Sequence, residues 1–255
     1  MKTKKMIIYV CLLILCAYSA SQSVHEQYVA TNMGPASIHK ETDYSFQDIF
    51  YNAKIKEKLI AFTFDDGPHP VYTRKVLKTL DKYQAKGTFF VTGQRAKRYG
   101  SIIKEMSEQG HEIGNHTFSH PSMRRITVEQ LQEEIQKTDA IIHSLTGEYP
   151  VFFRPPGGVK NDIVIEAARR KKHMIVIWSR NQDTRDWSNP GIKNMVRQVT
   201  QHAEPGHIVL FHDSGVNRTQ TVKALEQILN ILSKKGYKFV TLSDLIHQAI
   251  EENAQ

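Results

Sequence analysis

Two adjacent carboxylates in Thr63-Phe64-Asp65-Asp66-Gly67 and two imidazoles in His116-Thr117-Phe118-Ser119-His120 are the residues of this chain best suited to chemistry. The acids follow Leu59-Ile60-Ala61-Phe62-Thr63-Phe64, an apolar run of strand length, so they fall where a buried strand emerges into a loop. Adjacent residues at a strand end point in different directions, which lets one carboxylate hold a metal while its neighbour takes a proton. Histidines four apart lie on one face of a helical turn, and two imidazoles with one carboxylate make an open zinc site with room for water. The stretch His111-Glu112-Ile113-Gly114-Asn115 reads as another short strand delivering His116 to the same rim. A His-x-x-x-His spacing alone also fits a loop without metal. The aspartate pair upstream turns the reading toward a metal-activated hydrolase.

Three more segments carry polar residues at strand ends: Arg154-Pro155-Pro156-Gly157-Gly158, Asp183-Thr184-Arg185-Asp186-Trp187 and Leu210-Phe211-His212-Asp213. With these five motifs in this order, the chain from about Leu59 to Ile246 resembles the NodB-homology polysaccharide deacetylases of carbohydrate esterase family 4. The resemblance implies that Asp66, His116 and His120 bind the metal, that Asp65 is the general base toward the attacking water, and that His212 is the general acid. It further implies that Arg154 pairs with Asp65 and keeps it ionised, that Asp183 orients the His212 imidazole, and that Trp187 and Leu210 wall a pocket for the acetyl methyl group. Such a division of labour supplies a nucleophile, a stabilised oxyanion and a proton for the departing amine. Many family members carry a large residue where this chain has Gly157; its N–H remains available to the oxyanion, while the lost side chain widens the expected cleft. The spacing from Trp178 to Asp183 is slightly longer than the family's, which a local bulge would absorb.

Other polar residues near the motifs carry weaker readings. His69, in a Gly-Pro-His-Pro turn, is a loop residue or a neighbour of the site, and His111 is a candidate hydrogen-bonding support beneath the metal. Asp186 and Asp213 belong to their motifs but suit a turn-capping role equally well. Thr117 and Ser119 read as supports for the histidines, since no base is arranged to make either a nucleophile. Gly67 and Gly158 read as turns close to ligands.

The elements that must position these residues alternate. Strands are expected near Leu59 to Phe64, Gly87 to Thr92, Glu112 to Asn115, Val151 to Arg154, Met174 to Trp178, Ile208 to Phe211 and Lys238 to Thr241. Helices are expected over Thr73 to Tyr83, Ser101 to Gln109, Thr127 to Leu145, Asp162 to Arg170, Gly191 to Gln201 and Thr219 to Lys235. Alternation with chemistry after each strand predicts an α/β fold, a distorted, incomplete (β/α) barrel of about seven parallel strands with its site at the C-terminal rim. A doubly wound open sheet would give a similar pattern. Residues 59–250 form a single catalytic domain, 251–255 a tail, and the polar, aperiodic stretch 21–58 a linker.

Residues 1–20 open with Lys2, Lys4 and Lys5 before an apolar run from Met6 to Ala17, the layout of a secretory signal or an uncleaved anchor. Both cysteines, Cys11 and Cys16, fall there, so the mature domain has neither disulfide nor thiolate ligand. Oxygen and nitrogen ligands then point to zinc, with cobalt or another divalent ion as alternatives. The formal charge of +8 is dispersed, without interleaved aromatic residues, which argues for an anionic cell wall rather than nucleic acid as partner. The expectation is an exported monomer, touching membrane only through its N-terminus, that removes N-acetyl groups from an amino-sugar polymer, peptidoglycan ahead of chitin oligomers. An O-acetyl esterase acting on xylan-type sugars, or a catalytically silent wall-binding protein, are the alternatives.

Overall fold

The structure, a computed structural model, describes residues 49–254; the expected signal segment 1–20 and residues 21–48 of the polar stretch lie outside them. The first long strand, β2 (Leu59–Gly67), shows how the apolar pattern becomes architecture. Its even residues Ile60, Phe62 and Phe64 join Phe89, Phe211 and the helices Tyr72–Lys82 (α1) and Thr219–Lys234 (α7) in one core cluster. Its odd residues Leu59 and Ala61 face a second cluster with Phe90, Phe152, Val176 and Ile208. Both faces are therefore buried, as expected for a parallel strand covered by helices. The same alternation carries Thr63 and Asp65 along the inner face toward the C-terminal end.

All strands pair in parallel. The sheet path runs β1 (Ile49–Phe50), β6 (Met174–Val176), β5 (Phe152–Phe153), β4 (Glu112–Asn115), β3 (Gly87–Val91), β2 and β7 (Ile208–His212), while β8 (Lys238–Phe239) pairs with the start of β2. The consecutive order from β2 to β6 is that of a curled barrel; the reversal of order that marks a doubly wound sheet is missing. The segment after β6 curls far enough to meet β7: Ser179 N–H donates to Ile208 O at 3.0 Å and Leu210 N–H to Gln182 O at 3.0 Å. A turn over 179–182, with Asn181 at φ 63°, takes up the long spacing from Trp178 to Asp183.

Two boundaries differ from the sequence reading. The sheet starts ahead of Leu59, because Ile49 and Phe50 pair with Ile175 and Val176 and the Ala53 N–H donates to Gly206 O at 2.9 Å. At the other end the chain does not trail off after 250: the helix Leu242–Asn253 (α8) seats Leu242 and Leu245 in the inner cluster and plugs the barrel. Its N-terminus is held by the buried Glu112 carboxylate, which accepts the N–H groups of Leu242 and Ser243 at 3.0 and 3.2 Å. A short helix, Gly93–Arg98 (α2), which the periodicity reading did not contain, precedes Gly100–Glu108 (α3). No helix among the described residues is long and apolar enough to cross a membrane.

Candidate active site

Asp65 and His212 are register partners on neighbouring strands, so their side chains emerge together on the inner face of the barrel mouth. Alternation alone would send Asp66 to the opposite, helix-covered face. A register shift between Asp65 and Gly67 and a φ of 71° at Asp66 turn it back. Its Oδ1 lies 3.5 Å from His116 Nε2 and 3.4 Å from His120 Nε2. Burial opposes ionisation of Asp66, but the hydrogen bond from His116 and the charges of His116, His212 and His120 outweigh it, holding the carboxyl below its usual range.

His116 and His120 do not share a helical turn as the spacing suggested. They bracket a loop in which Thr117 and His120 take positive φ values of 69° and 57°, and this fold-back sets the imidazole rings 5.1 Å apart. Asn115 organises the loop from below, its Oδ1 accepting Thr117 N–H at 2.8 Å and its Nδ2 donating to Asp139 at 2.7 Å. The Thr117 hydroxyl accepts His120 N–H at 3.2 Å, and Glu134 accepts the Ser119 N–H at 2.7 Å. Thr117 thus holds His120 directly, whereas Ser119, one residue before it, is tied to Glu134.

The site suits a divalent ion on its donor chemistry. The ligand atoms of Asp66, His116 and His120 lie within 4.8 Å of one another, and His116 Nδ1 donates to Arg154 O at 2.6 Å, an anchor that orients the ring and would leave Nε2 as the ligand atom toward a divalent ion. Burial lowers the pKa of His116, but Asp65 and Asp66 reverse this and the net shift is upward; His120, buried beside His116, is lowered.

Asp65 sits against Arg154, which is fully buried. Arg154 Nη1 donates to Asp65 Oδ1 and to Thr63 Oγ1, both at 2.8 Å, its Nε donates to Val176 O at 3.0 Å, and its guanidinium lies 4.1 Å over the Phe90 ring. One carboxylate is thereby fixed in position beside Asp66, His116 and His120.

On the far side of the mouth the acid that holds His212 is Asp186; Asp183 does not reach it. His212 Nδ1 donates to Asp186 Oδ1 at 2.7 Å and its backbone N–H to Asp186 Oδ2 at 2.9 Å. Thr221 and Arg218 fasten Asp186 in turn. Asp183 is spent on its own turn: its backbone bridges Leu210 and its Oδ1 accepts Arg185 N–H at 2.8 Å. Arg185, at φ 51°, then reverses the chain and delivers Asp186 under the imidazole. Nothing local in Asp183-Thr184-Arg185-Asp186 distinguishes the two acids, since the choice depends on that left-handed residue. Burial lowers His212, but Asp186 and the aspartates across the mouth more than offset it, so the imidazole holds its proton above the usual histidine range.

The remaining candidates fall in varied places. Leu210 is buried inside the barrel wall, Trp187 is 57 % exposed at the rim, and Gly157 lies at φ 66° with open space where a side chain would go. His69 caps α1, its Nδ1 accepting the N–H groups of Val71 and Tyr72. His111 does not lie beneath the metal triad. It precedes β4 while His116 follows it, about 16 Å apart along an extended strand, and its Nδ1 accepts Gly87 N–H at 3.1 Å. Asp213 is buried behind Gly67, hydrogen-bonded by the Thr73 hydroxyl, and burial pushes its carboxyl up to about 7.

A parallel half-barrel with a carboxylate and two imidazoles at its C-terminal rim, flanked by the Asp65–Arg154 and His212–Asp186 pairs, has the donor set of a hydrolase that uses a divalent ion. Comparison with known proteins narrows the class. Residues 52–176 match the polysaccharide deacetylase family model. A Bacillus cereus peptidoglycan-N-acetylglucosamine deacetylase is 46 % identical over 190 residues, covering 74 % of this chain and 89 % of the relative. The crystal structure of a peptidoglycan N-acetylglucosamine deacetylase superposes with a TM-score of 0.74 at 34 % identity, over 78 % of this chain and 92 % of the other. A family 4 acetyl xylan esterase from Clostridium thermocellum, solved with a cobalt ion, gives 0.69 at 36 % identity, over 74 % and 91 %. The chain belongs to the polysaccharide deacetylase family, and the half-barrel implied by the resemblance is its fold.

Proposed function

We propose that the protein is an exported, monomeric, metal-dependent deacetylase that removes N-acetyl groups from the amino sugars of peptidoglycan and releases acetate. The observation that carries this reading is the convergence of Asp66, His116 and His120 within 4.8 Å, directly beside the Asp65–Arg154 pair. A divalent ion held by that triad, zinc first and cobalt next, would polarise the acetamide carbonyl and acidify water. Asp65, kept ionised by Arg154, takes the proton from the attacking water. His212, kept protonated by Asp186, donates to the nitrogen as the carbon–nitrogen bond breaks. The Gly157 N–H is assigned to the oxyanion, the exposed Trp187 ring to the sugar face, and Leu210 to the wall behind the methyl group. Positive net charge and the N-terminal segment 1–20 support an enzyme working at an anionic wall outside the cell.

The test is acetate release by purified residues 21–255, metal-loaded and chelated, from N-acetylglucosamine oligomers, isolated peptidoglycan and acetylated xylan. Metal-dependent release from peptidoglycan is expected. Release from acetylated xylan alone would transfer the assignment to ester substrates, a reading favoured by the likeness to the xylan esterase. No release from any of them with metal bound would leave a silent wall-binding protein.

A further inference from the structure

We propose that Arg95 binds a carboxylate carried by the glycan and so selects anionic strands over neutral ones, an inference that rests on the deacetylase reading above. Arg95 belongs to the short helix α2 and lines, together with Gln94, Thr92 and Ser119, a cavity of about 210 Å³ whose other wall is Asp66 and His120. A group bound at Asp66 and His120 therefore shares its cavity with the Arg95 side chain.

Arg95 is half-buried, and its guanidinium makes no hydrogen bond or ion pair with any described residue. Arg74, Arg154, Arg170 and Arg218, by contrast, each meet a carboxylate. The acids nearby are committed elsewhere. Asp66 faces His116 and His120, and Glu134 takes the N–H and hydroxyl of Ser119. Toward His69, Arg95 acts as a repelling charge, adding to burial in lowering that imidazole. Its five N–H donors are left to solvent and ligand at the edge of the cavity, and their planar fork matches a carboxylate bidentately. A wall glycan offers that group in two forms: the lactyl acid of a muramic residue, free where the stem peptide is absent, and the acids of the stem peptide itself.

The experiment uses the metal-loaded full chain and the variants Arg95→Gln and Arg95→Lys on three substrates: glycan strands with stem peptides, the same strands after amidase removal of the peptides, and neutral N-acetylglucosamine oligomers. Two readouts are taken on each, kcat/KM for acetate release and equilibrium binding. In Arg95→Gln the preference for charged over neutral glycan should fall about tenfold, the size of one lost charge-assisted contact, and Arg95→Lys should restore part of it. The strand on which the preference falls identifies the carboxylate. An unchanged charged-to-neutral ratio in both kinetics and binding would overturn the assignment. Wild-type protein that releases no acetate from any substrate would instead defeat the deacetylase reading, and the binding ratio would still decide the role of Arg95.

Discussion

Asp65 is partner to a buried guanidinium and, in the proposed function, base toward water, and one substitution separates the two. Asp65→Asn should cut kcat by about 10²–10⁴-fold, the usual worth of a positioned base, with metal still bound, because the proposed ligand set is Asp66, His116 and His120. It should also cost roughly 3–5 kcal/mol of stability, since Arg154 keeps its charge but loses its 2.8 Å carboxylate; a metal titration and a denaturant curve on the same sample check both. His116→Ala should instead lose the metal and turnover together. The second residue-scale prediction concerns pH. Asp186 raises the pKa of His212, so its acid form persists to higher pH than in an ordinary histidine, and activity that needs the proton falls only as pH climbs through that raised value. Asp186→Asn should lower kcat about 10²-fold and move the alkaline limb of the rate profile to lower pH, whereas Asp183→Asn should leave the limb in place. A limb that moved with Asp183 would return the role to the residue that the family resemblance favours.

Local backbone departures, rather than regular elements, aim the ligands. The bulge at Asp66 and the left-handed residues Thr117 and His120 all lie at strand ends, where the ladder no longer dictates direction. Gly67 shows how tightly the first of these is packed. A Cβ there would fall 2.4 Å from Asp213 Oδ1 and 2.6 Å from Oδ2, and Asp213 is itself buried and held by Thr73. Gly67→Ala should therefore displace the turn that carries Asp66 and weaken metal affinity about 10–100-fold, the range seen when support behind a ligand is lost. Isothermal titration with zinc measures it, and an unchanged affinity would mean that Asp213 yields instead. The conserved-sounding motif words themselves do not reveal this contact: Gly67 and Asp213 are 146 positions apart, and neither types nor spacing say that they touch.

The barrel is completed by chain that carries no chemistry. Ile49, Phe50 and Ala53 cover the β6 edge and the turn before β7, and Gly206, at φ 84°, leaves room for Ala53 O that a Cβ at 1.9 Å would occupy. Replacing Ile49 and Phe50 together by serine should cost roughly 2–4 kcal/mol of apolar burial and lower the melting temperature about 5–10 °C, as calorimetry would report. Equal melting temperatures would mean that the edge is only decorated by these residues.

The strand–helix alternation and the residues proposed to hold a metal were legible from the amino-acid sequence, while the order of strands in the sheet and the pairing of Ile49–Phe50 with β6 were not. The former follow from side-chain chemistry and from short apolar runs such as Leu59 to Phe64, whose two faces the fold then divides between two clusters. Only the tertiary structure decided that Asp186 and not Asp183 meets His212, that His116 and His120 meet through a loop and not a helix, and that His111 belongs to the opposite end of its strand. Each of these turns on single left-handed residues or on which end of a strand a side chain occupies. Hydrophobic periodicity does not encode such choices, because they are fixed by contacts between segments far apart in the chain.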